Sequence, residues 1–197
     1  IKTSVAKCEE DLTKNTSKIS TIEQRTDEIG LEVQSIEKQY DTDKEKQALR
    51  DNFVNTILDL QSVLGLFSSD MNVYMEDNRL TEEEKNSIEE YKESLNEKRS
   101  NLNAQLDIII EEVSKNDGLE ENELVLLNSA KEDLNTSIDN LLTNIDTVCV
   151  DNVFTNTEIT AVVNYFGKAN MRVNECKNLI DEYFVLGIGG VLIEEVS

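Results

Sequence analysis

The spacing of apolar residues predicts an all-α protein: an N-terminal heptad coiled coil followed by an up-down bundle of long antiparallel helices. Three observations lead there. Apolar residues alternate at intervals of four and three over the first forty positions, and the same intervals return through most of the remaining chain. A short motif that opens helices recurs downstream. The 197 residues include no Pro and 7 Gly, so little in the chain interrupts a helix.

Residues 1–44 are the coiled-coil oligomerisation segment. Val5, Leu12, Ile19, Thr26, Val33 and Tyr40 fall at heptad position a, and Ile1, Cys8, Asn15, Ile22, Ile29 and Ile36 at d. The positions between them are mainly Lys, Glu, Ser, Thr and Gln. Such a seam needs another helix to cover it. β-Branched residues at a suit two or three strands, whereas Ile at d disfavours a parallel dimer, so a parallel trimer is expected and a dimer stays open. Asn15 and Thr26 form polar layers that either fix the register or are tolerated defects.

Residues 41–47 are charged and lack the seam, after which Phe53, Ile57, Leu60, Leu64, Phe67, Met71 and Tyr74 resume the spacing. The phase changes between Tyr40 and Phe53. One distorted helix and two separate helices both fit this pattern.

Residues 45–184 form the helical bundle, punctuated by turn-cap repeats at 77, 117 and 151. DNRLTEEE at 77–84 aligns position for position with DNVFTNTE at 151–158, and DGLEENE at 117–123 is a shorter relative. In the full copies Asp-Asn makes the turn, and Leu80 or Phe154 stands before the cap as a hydrophobic staple. Thr81 or Thr155 then caps the helix, with Glu84 or Glu158 three residues on. The stripes that follow are Ile88, Tyr91, Leu95, Leu102, Leu106, Ile109 and Val113; Leu127, Leu134, Ile138, Leu141, Ile145 and Val148; and Ile159, Val162, Phe166, Val173, Ile180 and Tyr183. They predict helices of roughly 28 to 35 residues, each about 45 Å long, and short connections make successive helices antiparallel. Residues 185–197, with Gly187, Gly189 and Gly190 among Val, Ile and Leu, read as a Gly-rich apolar connector to a further domain.

Composition closes several functional classes. With 41 acidic against 19 basic residues the net charge is −22, which opposes binding to nucleic-acid phosphates or anionic lipid. There is no His, hence no imidazole base or ligand. Cys8, Cys149 and Cys176 form no Cys-x-x-Cys pair, and no Gly-rich phosphate loop is present. No catalytic, cofactor-binding or metal-binding residue is therefore assigned, and an enzyme is not expected.

Glu84 and Glu158 match the last position of a calcium-binding EF-hand loop, but Val73, Met75, Thr147 and Cys149 stand where its early oxygen ligands belong. Cys149 and Cys176 should lie about 30 Å apart along one hairpin, too far to bridge. Three unpaired thiols suit assembly in a reducing cytoplasm. The most apolar run, residues 183–193, is about half the roughly 20 residues a spanning helix requires, so no membrane insertion is expected. The first residue is Ile and no signal-peptide pattern follows, so the chain reads as a cut from a longer protein.

Two stretches carry a resemblance. TSKISTIEQRTDEIGLEVQSIEK, residues 16–38, resembles coiled-coil segments of tail-tip and tail-fibre proteins from phages of Gram-positive bacteria, where variants of ISxIEQxxDxIxxxVxxIE are frequent. DNRLTEEEKNSIEEYKESL, residues 77–95, resembles the DGxLTxxEKxxL helical repeats of the same phage and prophage proteins. The sequence departs from that pattern with Asn for Gly at 78 and 152, and the copy at 117 lacks the Thr and one residue. The resemblance implies a trimeric part of a tail fibre or baseplate in the virion tail, assembled in the host cytoplasm. It would contact other tail or baseplate proteins and reach a host cell-surface receptor through domains outside residues 1–197. No catalytic residue transfers. Rival readings are a bacterial surface adhesin stalk, built on the same seam, and a helical pore-forming toxin using the apolar residues 185–193 as half of a hairpin.

Overall fold

The structure, a computed structural model, describes residues 1–115 and 121–184; the side chains of 38–42 and 183 are also outside the description. The motif copy at 117 therefore lies largely outside the described residues, as do the connector at 185–197 and the side chains of Tyr40 and Tyr183. The protein is all-helical: α1 Lys2–Tyr74, α2 Glu82–Ser114, α3 Glu121–Val148 and α4 Asn156–Tyr183. It divides into two units, Ile1–Glu45 and Lys46–Ser197.

α1 resolves the alternatives left open at 41–47, because the helix runs through that stretch. Charge alone does not end a helix when neither Pro nor Gly is present. Ile36 and Ile57 are 21 positions apart, three whole heptads, so the d stripe stays in register. The companion stripe changes instead, from the a positions of the first unit to Phe53, Leu60, Phe67 and Tyr74 at g.

In the second unit residues 46–74 of α1 join α2, α3 and α4 in a bundle. Its core is made of one stripe per helix: Phe53, Ile57, Leu60, Leu64, Phe67 and Met71; Ile88, Leu95, Leu102, Leu106, Ile109 and Val113; Leu127, Leu134, Ile138, Leu141, Ile145 and Val148; Val162, Phe166, Ala169, Val173, Cys176 and Ile180. Within it Phe67 stacks on Tyr91 at 4.9 Å between ring centroids and meets Phe166 edge-on at 5.1 Å, tying α1 to α2 and α4. Tyr74, Tyr91 and Ile159, expected in the stripes, are only part-buried.

Adjacent helices run antiparallel, as a polar ladder between α2 and α3 makes plain. Lys92 pairs with Asp146, Arg99 with Asp139, Asn103 with Asn135, and Asp107 with Lys131. As one residue number climbs, its partner's falls by the same step. The Asn103 and Asn135 amides each donate to the other at 2.9 and 2.8 Å, a reciprocal pair that satisfies both. α3 and α4 are joined by Arg172 to Asp133, and α1 and α4 by Gln61 donating to Asn174 at 2.8 Å.

The two full motif copies, at 77 and 151, are 74 residues apart, and the structure repeats at that interval. Leu60, Leu64, Met71, Leu80, Ile88, Leu102 and Leu106 match Leu134, Ile138, Ile145, Phe154, Val162, Cys176 and Ile180, all buried. The bundle is thus two α-hairpins of equivalent build, and their turns pair. Leu80 N–H donates to Asn152 O and Phe154 N–H to Asn78 O, both at 2.9 Å, an antiparallel bridge centred on Arg79 and Val153.

Each turn is made the same way. Asn78 and Asn152 both adopt φ 61°, a left-handed conformation that Asn tolerates better than most residues other than Gly. The Asp77 and Asp151 carboxylates accept from the N–H two residues on, at 3.1 Å. Thr81 and Thr155 complete capping boxes with Glu84 and Glu158. The staple expected of Leu80 is corrected: the fourth position of its helix is Lys85, whereas Phe154 has Ile159 there, and both Leu80 and Phe154 are buried among the core residues.

Candidate functional site

The candidate site is the seam of the first unit. Every described side chain from 1 to 37 is exposed, including Val5, Cys8, Leu12, Asn15, Ile19, Ile22, Thr26, Ile29, Val33 and Ile36. The aliphatic members after Ile1 range from 46% exposed at Val33 to 68% at Ile36, against 0% for the core positions of α1 in the second unit. Leaving this many aliphatics in water on one helical stripe costs about 1.5–3 kcal/mol for each that a partner would bury fully. A lone helix has no way to recover that.

The polar members of the stripe are Asn15 and Thr26. Thr26 donates its hydroxyl to Ile22 O at 2.9 Å, so it needs no further acceptor. Asn15 has both donors and an acceptor to place, which in a covered seam only another polar group can meet. Leu31, exposed at 67%, lies off the stripe at position f.

The Tyr91 hydroxyl donates to the Asp70 carboxylate, and this bond together with burial pushes the phenol up to about 12. Burial pushes the Cys149 thiol up to about 11 and the Cys176 thiol up to about 12, away from the thiolate a nucleophile requires. All three thiols are free. Among the described residues no group of His, Cys, Asp and Glu is arranged to hold a metal ion, and no helix is long and apolar enough to cross a membrane.

Two features escaped the sequence reading. The α2–α3 ladder gives no local signal, since each helix carries many charges and none announces its partner. The pairing of the turns had a signal in the position-for-position alignment of the motifs at 77 and 151, as equivalent hairpins can meet at equivalent points. No protein family, curated protein or solved structure matched the chain.

Proposed function

We propose that the chain is a structural component of a phage tail fibre or baseplate, a trimeric stalk and spacer that holds host-receptor-binding domains away from the virion. The seam of residues 1–37 zips the chains, and the bundle of the second unit acts as a stiff shoulder. The observation that supports this best is the exposure of the whole seam, Val5 through Ile36, on a helix whose polar faces are otherwise ordinary. The resemblance of residues 16–38 and 77–95 to tail-protein segments supplies the biological setting. Acidity favours the same reading, because a net charge of −22 keeps a long particle soluble and repels nucleic acid.

The test is absolute mass by light scattering after size exclusion, with reducing agent, on the full chain and on a version beginning at Asp43. A trimer that becomes a monomer on truncation is the expected result. A full chain that is monomeric across micromolar concentrations would remove the proposal.

A further inference from the structure

We propose that the seam of residues 1–37 is covered by further copies of itself lying parallel and in register. This rests on the stalk reading and specifies its partner and polarity. In such an array every layer meets its own kind: Asn15 faces Asn15, Thr26 faces Thr26, Cys8 faces Cys8, and the other layers are Ile, Leu and Val. Sliding one chain by a heptad sets Asn15 against Cys8 and Ile22, and leaves its amide unpaired in an apolar layer.

One antiparallel alignment fits the apolar layers equally well. It places a against d: Ile19 opposite Ile22, Leu12 opposite Ile29, Cys8 opposite Val33, and Asn15 opposite Thr26. The flanking charges separate the two arrangements. In the antiparallel alignment g faces g and e faces e, so Lys18 meets Arg25 and Asp11 meets Glu32, each pair occurring twice by symmetry; Lys2 with Glu37 is the sole opposite pair. In the parallel arrangement g faces e of the next heptad. Lys18 then meets Glu23 and Glu32 meets Glu37, while Ser4, Asp11 and Arg25 face Glu9, Thr16 and Gly30. Counted per chain, one attractive and one repulsive pair stand against two repulsive pairs and one attractive pair. Lys18 and Glu23 are exposed and make no ion pair among the described residues, so both are free to pair between chains.

The full chain is tested after light scattering has established that it assembles; a monomer there would fail the stalk reading as well, whereas the results below concern polarity alone. Treatment with diamide should link Cys8 to Cys8: two thiols give up two protons and two electrons, diamide is reduced to its hydrazine, and a Sγ–Sγ bond forms. Linked dimers on a non-reducing gel, lost in Cys8→Ser, are expected. An assembled protein without that link, in which a Val33→Cys variant yields a peptide joining Cys8 to the thiol introduced at position 33, overturns the proposal. Lys18→Glu reads the charges independently and leaves the seam intact. The parallel arrangement predicts that the concentration for half-dissociation rises about tenfold as an attractive pair becomes repulsive at each interface. The antiparallel one predicts that it falls, since the carboxylate introduced at position 18 would then face Arg25, and a fall overturns the proposal.

Discussion

Thr81→Ala and Thr155→Ala test whether the two turns are equivalent devices. In the structure the Thr81 and Thr155 Oγ1 atoms accept from the N–H of Glu84 and Glu158 at 3.2 Å, and their own N–H groups donate to those carboxylates at 2.9 Å. Their backbone angles agree as closely, φ −83° and ψ 162° against φ −82° and ψ 159°. Alanine removes the hydroxyl acceptor and keeps the reciprocal bond from the backbone N–H, so half of each box survives. A lost Thr cap costs about 0.5–2 kcal/mol. Because both caps are exposed, water can reach the freed N–H, and the lower part of that range, about 0.5–1 kcal/mol each, is expected. The double variant should lose about 1–2 kcal/mol, additive to within about 0.5 kcal/mol. Urea unfolding of the second unit, followed by far-ultraviolet circular dichroism at neutral pH with reducing agent, measures all three with an unchanged denaturant slope. If one substitution is silent while the other costs more than about 1 kcal/mol, the argument from matched geometry is wrong.

Phe67→Ala should destabilise the second unit by about 3–5 kcal/mol, since it empties a fully buried site that joins three helices; Phe67→Leu should cost clearly less in the same unfolding assay. Tyr91 is raised from 10.0 to about 12 in the folded state, so its contribution is complete below about pH 10 and is lost as pH climbs through about 12. Stability against urea measured across that window should fall less steeply in Tyr91→Phe. The raised thiols predict that Cys176 reacts with Ellman's reagent only on unfolding and that Cys149 reacts slowly in the folded protein, and a stopped-flow count of released thiolate checks both.

The periodic parts of the fold were legible because burial follows spacing. Leu102, Ile138 and Ile180 lie in the core where the three-four pattern put them, and Thr81 and Thr155 cap the helices their motifs announced. Continuity through 41–47 was not legible, since a loss of apolar residues looks the same whether a helix ends or merely emerges into water. The left-handed Asn78 and Asn152 were half visible as departures from Gly. Their partnership through Leu80 and Phe154 leaves no mark on side-chain patterning, and its one trace in the sequence is the alignment of the two motifs 74 residues apart. For the candidate site the residue types defined the seam, and its exposure in the chain came only from the structure.

The bridge between the turns also answers a problem of indexing that the rest of the bundle leaves open. Ile88, Leu95, Leu102 and Ile109 of α2 are seven residues apart, and so are Leu127, Leu134, Leu141 and Val148 of α3. Shift one helix along the other by that step and the apolar teeth mesh again. The ladder meshes in part: Lys85 reaches Asp146, Lys92 reaches Asp139, Arg99 reaches Glu132 and Asn103 reaches Asn128, while Asp107 loses Lys131 and comes opposite Leu124. Core and most of the ladder behave like a rack that can also grip one tooth along, in the direction that sets Lys85 against Asp146. What selects the tooth is the pin at the end, where Leu80 and Phe154 donate across to Asn152 and Asn78 and admit a single alignment of α2 with α3.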